Sequence, residues 1–452
     1  MPRALRTQKK SDEIQAALQE ETAGYIEQFL NQHPAQQQFL TFERTFRELI
    51  FQSAGKLLQP VVQALVDQFD ASFQPAPQQR LVERRHLEIT GLFGSMHIFR
   101  DYYCDGQRGH CPADAALALE GPYTPALSRM IYRAAAKNSY GQASQDLFEY
   151  AGVKVCDRQI QRLVREIAPE VASWLKTHPS RGEMALMYIC ADGTGLPMRQ
   201  EELAGRKGKQ SDGSAKTREA KLGCVFLQTE VDPEGHPLRK EDSTSYIGSF
   251  EAAAEFGLLL RQEAQRRGLA QATKIIFIGD GAAWIWELVR VNFPGAILIL
   301  DFYHGLQHVH GLVEALCGKE TPEGKKLIKL WKKWLFKDKV AQIIQQAKAQ
   351  LERSLDTETA QKEIGYLENN SERMAYGTFR QAGYFIGSGV VEAGCKTVIG
   401  KRMKGSGMFW SEEGGQGMLD LRCAFLSNRL DAFCQARATS HAARNDLLQL
   451  AA

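Results

Sequence analysis

The segment KIIFIGDGAAWIWELVRVNFPGAILILDFYH, residues 274–304, limits what this chain can fold into more than any other stretch. It holds two apolar runs, 274–278 and 296–300, each too short for a helix, with one helix-length stretch between them. Asp280 follows the first run and Asp301 the second, and His304 stands one turn into the helix beyond. Short runs without alternation are the pattern of parallel strands covered on both faces. A third run, 184–190, stops just before Asp192-Gly193-Thr194-Gly195. Ligands of α/β folds gather beyond the carboxyl ends of such strands. Three acids are thus delivered to one edge of one sheet, an arrangement suited to divalent metal.

Composition sets outer limits. The 452 residues allow about three domains on length alone, and 44% hydrophobic residues supply an ordinary core. Nine cysteines, irregularly spaced, argue against a disulfide framework and for a reducing compartment. The basic start MPRALRTQKK runs into polar SDEIQ, unlike a signal peptide, and no run approaches the roughly 20 apolar residues of a membrane span. A soluble cytoplasmic protein with no membrane association is expected. Net charge is only +3, but Lys and Arg gather in 206–221, 325–339 and 396–404. Such patches suit a phosphate backbone, and equally a solvated helix face.

Taken in order, residues 1–80 read as helical, with Phe39, Phe42, Phe46, Leu49 and Ile50 on one apolar face, and 73–79 as a linker. Residues 81–115 read as a β-hairpin over 86–103, turning at Gly94-Ser95, followed by a degenerate zinc-ribbon-like segment with Cys104, His110 and Cys111. Gln107 stands where a second ligand of a CxxC pair belongs, so zinc is not expected. Residues 116–180 have helix-turn-helix spacing: a helix to Tyr150, a turn at Ala151-Gly152, and a second helix capped by Asp157. In that second helix Ile160, Leu163, Val164 and Ile167 form a buried stripe. Arg158, Arg162 and Arg165 share another face that a major groove would accept. An ordinary helical hairpin with surface arginines fits the same pattern.

Residues 181–304 read as the first part of a catalytic core. A Gly- and Lys-rich loop is followed by strands at 222–229 and 243–247, a turn at Pro233-Glu234-Gly235, a helix over 251–267, and then strand, helix, strand. That is the order of a ribonuclease H-like fold. Residues 305–385 form a helical insertion, in which Trp331, Trp334 and Leu335 are expected to pack on neighbouring helices rather than on a membrane. Residues 386–452 bring the last part of the core and the C-terminal helices: Ser388 is placed to cap a helix carrying Glu392 in its first turn, and 422–438 to close the chain. The fold class is an α/β ribonuclease H-like core with a helical insertion and mainly helical N-terminal domains. Phosphoryl transfer on nucleic acid by two divalent ions about 3.5–4 Å apart needs carboxylates on both. Asp192, Asp280 and Glu392 fit that need.

The blocks ADGTGLPM, GRKGKQSDGSAKTREAKLG, FIGDGAAWIWELV, LDFYH, GSGVVEAGCK and KGSGMFW, in this order, resemble the bacterial insertion-sequence transposases of the ISKra class, from about residue 102 to 428. The resemblance implies a DDE transposase that binds the ends of an insertion sequence and catalyses DNA cleavage and strand transfer. It implies two Mg2+ ions, with Mn2+ as substitute, on Asp192, Asp280 and Glu392, the first bridging both. Asp301 and His304 resemble the acid-x-x-His pair of Mutator-like and hAT-like transposases, although a capping Asp and a core His fit too. Trp410 would stack on an unpaired base or lie in the core. DNA contacts are expected from Arg158, Arg162, Arg165, Arg206, Lys207, Lys209, Lys216, Arg218, Lys221, Lys396, Lys401, Arg402, Lys404 and Trp410. The implied partners are terminal inverted repeats, target DNA and a second copy of the chain, since two ends must be brought together. Two other readings compete: a ribonuclease H-fold nuclease or resolvase without strand transfer, and a domesticated DNA-binding regulator without catalysis.

Overall fold

In the computed structural model, which describes residues 3–32, 38–106, 108–178, 184–203 and 217–439, the N-terminal periodicity becomes two helices, α1 (Arg3–Leu30) and α2 (Phe39–Ser72). Their aromatic contact centres on Phe42, whose ring lies 5.4 Å from Tyr25, 4.1 Å from Phe29 and 5.6 Å from Phe46. Phe39 and Ile50, expected on the same face, are 65% and 41% exposed. The rings of α1 reach only the turn around Phe42, so the apolar face is narrower than the sequence period suggests.

Next comes a hairpin, β1 (Arg80–Gly91) and β2 (Gly94–Cys104), with a short third strand, β3 (Gly109–His110). Gly91 pairs with Gly94, so the turn is Leu92-Phe93, two residues earlier than expected, and Gly94 leaves it at φ +97°. Along β2, Met96, Ile98 and Arg100 are buried while His97 and Phe99 are exposed. Met96 and Ile98 meet Val66 of α2, with Leu58, Val62 and Phe69 beside it. Helix α2 also closes the outer edge of β2. Gln59 Oε1 accepts the His97 N–H at 3.1 Å, and the Gln63 amide both accepts the Phe99 N–H and donates to its carbonyl, each at 2.8 Å. Asp70 accepts the Asp101 N–H at 3.1 Å. Side chains at helical spacing thus pair the backbone groups that a further strand would otherwise take. Cys104 Sγ accepts the Gly106 N–H at 3.3 Å, and burial pushes the Cys111 thiol up. Gln107 lies outside the described residues.

Helices α3 (Pro112–Ala116), α4 (Pro125–Lys137), α5 (Tyr140–Ala151) and α6 (Asp157–Thr177) follow. Gly152 ends α5 in the left-handed region at φ +68°. Cys156, not Asp157, caps α6: its carbonyl accepts the Ile160 N–H and its own N–H donates to Gln159 Oε1. Ile160, Leu163, Val164 and Ile167 are buried, and Arg158, Arg162 and Arg165 are exposed. The chain divides into two units, Met1–Val164 with Leu430–Ala452, and Arg165–Arg429. Within the first, Arg129 and Arg133 both hold Asp431 at 2.9 Å, fastening a helix over 430–439.

The second unit is built on a mixed sheet: β4 (Leu186–Pro197), β5 (Thr217–Val231), β6 (Pro237–Arg239), β7 (Ser245–Ser249), β8 (Lys274–Gly279) and β9 (Ile297–Leu300). Its order is β6-β5-β4-β8-β9, with β7 also on β5. β5 is antiparallel to β4, β6 and β7, whereas β4, β8 and β9 run parallel. Helices α7 (Ala253–Arg266) and α8 (Ala283–Asn292) supply Phe256, Leu260, Ile285 and Leu288 to one face. The other face is covered by α9 (Phe302–Cys317) and by α10 (Pro322–Leu335), α11 (Val340–Gln350), α12 (Thr357–Asn370) and α13 (Tyr376–Gln381). Here Trp331 is wholly buried and donates from Nε1 to Gln346 at 2.8 Å, with Leu335 buried and Trp334 at the margin. The amphipathic α10 therefore spends its apolar face on neighbouring helices. Among the described residues no helix is long and apolar enough to cross a membrane.

Helix α14 (Gly389–Gly394) continues through a wide π turn, Cys395–Gly400, into α15 (Lys401–Met403), and α16 (Glu412–Leu426) follows. The expected closing helix over 422–438 is instead broken after Leu426, where Asn428 takes φ +55° before the helix over 430–439 starts. If the Gln63 amide stands in for a strand, Gln63→Leu should cost about 1–3 kcal/mol and speed amide exchange at Phe99. Unchanged exchange there, followed by mass spectrometry or NMR, would show that the edge is closed by something else.

Candidate active site

Side chains alternate between the faces of a strand. On β4, Met187, Ile189 and Ala191 belong to the α7–α8 face, together with Phe277 of β8, while Tyr188, Cys190, Ile276 and Ile278 belong to the α9 face. Asp192 and Asp280 continue the second series. The parallel pairing of β4 with β8 runs from Leu186↔Lys274 to Cys190↔Ile278, and each aspartate stands two residues past that last pair. Strand β4 does not stop at 190, as its apolar run suggests. It continues to Pro197 against β5, with Asp192 opposite Leu222, because β5 still offers hydrogen-bond partners where β8 has turned off at Gly281.

Asp301 ends β9 and starts α9. Its N–H donates to the Gly279 carbonyl at 2.7 Å, and its side chain is wholly buried. One carboxylate oxygen accepts the His304 N–H at 2.8 Å and lies 3.1 Å from His304 Nδ1; the other accepts the Ser388 N–H. Ser388 does not cap α14 through its side chain. Its hydroxyl lies 3.3 Å from Glu392 Oε1 as donor, leaving the helix start to the backbone. Glu392 Oε1 is also 3.9 Å from His304 Nδ1. Asp301, His304 and Glu392 thereby offer ligand atoms all within 4.8 Å of one another. Among the described residues Asp192, Asp280 and Glu392 do not form so tight a group. Asp192 and Asp280 stand at matching positions past the parallel pairing, and the tight trio joins Glu392 to the Asp301–His304 pair.

The charges are coupled. Burial pushes the Asp192 carboxyl up; the Cys395 thiol and the Gly193 N–H pull it back, Asp280 adds to the rise, and His304 opposes it. The hydrogen bond to Asp301 holds His304 above its ordinary value against burial, with the charges of Asp301, Asp280 and Glu392 helping. Burial alone would raise Asp301, but the bonds from His304 and Ser388 outweigh it and hold the carboxyl below its ordinary value. Burial lowers Lys404, whose ammonium donates to Thr194, two residues beyond Asp192. These carboxylates and the His304 imidazole form a donor set suited to divalent cations, which would offset the repulsion that Asp280 exerts on Asp192.

The remaining expected residues divide. Lys396, Lys401 and Lys404 are exposed on the helix that carries Glu392. Arg402 and Trp410 are buried: the indole Nε1 donates to the Met403 carbonyl at 2.8 Å and the guanidinium lies 5.5 Å from the indole centroid. They hold the loop 404–409 to the core and are not free to meet DNA; the exposed aromatic there is Phe409, at 59%. Lys221 is also buried, bonding the Glu251 carbonyl at 3.0 Å and Glu219 at 3.1 Å. Arg218 pairs with Glu412, and Arg165 with Glu413 at 3.1 Å. Arg206, Lys207, Lys209 and Lys216 lie outside the described residues. Sequence reading missed Cys395, whose thiol meets Asp192. Its place one turn after Glu392 was the available signal.

No family model matches this chain, and no curated protein matches its sequence. Among solved structures, the Drosophila P element transposase strand transfer complex aligns over 68% of this chain and 80% of that chain, at 10% identity and a TM-score of 0.27. So slight a likeness carries no argument about fold or site.

The Asp301–His304 pair predicts a pH dependence. The raised His304 contributes stability fully present below its ordinary value of 6.5 and lost as pH rises through its folded value. The depressed Asp301 contributes stability present above its ordinary 3.8 and lost as pH falls through its folded value. Urea unfolding of metal-free protein should therefore show His304→Gln costing most between pH 3.8 and 6.5, and less in alkaline buffer. A cost independent of pH would mean that the imidazole packs without its charge.

Proposed function

We propose that this chain is a transposase of the ISKra type, acting on DNA through a ribonuclease H-like core with Asp192, Asp280 and Glu392 as its acidic triad. The observation that carries the reading is the pairing of β4 with β8, which brings Asp192 and Asp280 to matching positions past the last parallel pair, on the face where the Glu392 helix lies. The strand order supports the core assignment: β4 and β5 pair antiparallel, β6 and β7 both add antiparallel to β5, and the parallel β8 and β9 follow on the far side of β4.

In this reading Asp192, Asp280 and Glu392 hold two divalent cations, Mg2+ or Mn2+. Bound there, they would polarise the scissile phosphate and lower the pKa of an attacking water or 3′-hydroxyl. The chain's own residues orient that constellation. Asp301 fixes the His304 ring through Nδ1 and ties the start of α14 to the end of β9, while Ser388 directs the Glu392 carboxylate. His304 supplies positive charge among the acids and serves as an auxiliary group. Exposed Arg158 and Arg162 on α6, and Lys396, Lys401 and Lys404 beside the site, are the groups proposed to follow phosphates. The terminal repeats and a target duplex are the proposed partners, with two chains joining two ends.

Asp280→Asn, an isosteric change, should abolish Mg2+-dependent cleavage of terminal-repeat DNA while leaving its binding nearly intact. Asp301→Asn should cost about 10- to 100-fold, as for a group that orients a metal ligand. Supplying precut ends tests joining: strand-transfer product supports the transposase, and hydrolysis alone would favour a nuclease. Cleavage by Asp280→Asn at the wild-type rate would remove the triad.

A further inference from the structure

The helices between Asp301 and Ser388 do more than cover the sheet. From α12, Tyr366 reaches the end of β8 and donates its hydroxyl to the main-chain carbonyl of Asp280 at 2.7 Å. The turn it grips has no room for a larger residue: Gly281 sits at φ +95°, and a Cβ there would lie 2.2 Å from the Tyr366 oxygen. The same turn aims the Asp280 carboxylate, which accepts the Ala282 N–H at 2.9 Å. Tyr366 is itself held. Its ring stacks on His308 at 3.4 Å between centroids and 18° between planes, and His308 Nδ1 lies 2.6 Å from Glu363 Oε2. His308 stands one turn after His304 on α9, and Glu363 one turn before Tyr366 on α12. A carboxylate, an imidazole and a phenol on two packed helices therefore end on the backbone of one acid of the candidate triad.

We propose that Tyr366 is a positioning residue that sets the Asp280 carboxylate for divalent-cation binding, with the Glu363–His308 pair fixing its ring. The inference rests on the reading of Asp280 as a metal ligand. The hydroxyl touches neither the carboxylate nor any reacting atom. It fixes the peptide from which the carboxylate springs, and losing it frees the turn to rotate. Groups of this kind govern metal affinity at about the 10- to 100-fold level, because a ligand displaced by about 1 Å no longer meets the ion with its partners.

The test titrates Mn2+ alone into the full chain without DNA, followed by electron paramagnetic resonance. Tyr366→Phe keeps the stacked ring and removes one oxygen. It should weaken Mn2+ binding about tenfold, with cleavage restored at saturating Mn2+ and the thermal midpoint of the metal-free protein unchanged. Glu363→Gln should weaken binding in the same direction. Wild-type Mn2+ affinity in Tyr366→Phe, with Asp280→Asn weakened, would overturn the role of Tyr366 and leave Asp280 as a ligand. A lowered thermal midpoint with unchanged Mn2+ affinity would make the contact merely structural, which also overturns it. If Asp280→Asn itself binds Mn2+ like wild type, the reading of the site fails, and the inference falls with it.

Discussion

A single buried carboxylate joins the parts of the second unit on which the candidate site depends. Asp301 is wholly enclosed, and an ionised carboxylate in such a place is tolerated only if its oxygens are satisfied. They are met by the first turn of α9 through His304 and by the start of α14 through the Ser388 N–H. Its backbone N–H meanwhile closes onto Gly279, beside Asp280. One residue therefore fixes three stretches far apart in sequence: the end of β8, the first turn of α9 and the helix bearing Glu392. Removing one partner of a buried charge costs more than making the pair gains, so the junction behaves as a unit.

Around that junction the helix bearing Glu392 departs from regular geometry. The π turn Cys395–Gly400 follows the acid directly and puts the Cys395 thiol against Asp192. Wide turns of this kind recur at functional sites because they re-aim side chains that a regular helix would direct elsewhere. The thiol is pushed up by burial first and by Asp192 next, so it stays protonated and donates to the carboxylate. The edge thus offers graded support to its acids: a thiol for Asp192, backbone and phenol for Asp280 through the main chain, a hydroxyl for Glu392.

Much of this was legible in the sequence, for reasons that can be named. Unalternating apolar runs ending in acids located β8 and β9, and strand parity then decides which face Asp192 and Asp280 share. Helical period located the helices between Asp301 and Ser388 and the burial of Trp331. What sequence could not supply was orientation across long separations. Trp410 and Arg402 follow a cluster of basic residues and so read as a DNA surface, yet Trp410 bonds inward to Met403. Lys221 reads as part of a basic loop, but β5 carries it inward to Glu251. Ser388 has the side chain of a cap and uses it on Glu392 instead. Tyr366 had no local signal at all, since its partner lies 86 residues away.

The glutamine and aspartate side chains along β2 have a consequence for how the first unit can meet other molecules. Extended peptides commonly attach to proteins by lending one more strand to an open sheet margin, where main-chain groups wait unpaired. Here α2 already fills those positions on one side of the hairpin, and Glu83, Arg84 and Arg85 load the opposite strand with charge that discourages such addition. Recognition by this hairpin is left to side-chain chemistry, and the same arrangement protects it from the stacking that drives β-rich segments to aggregate.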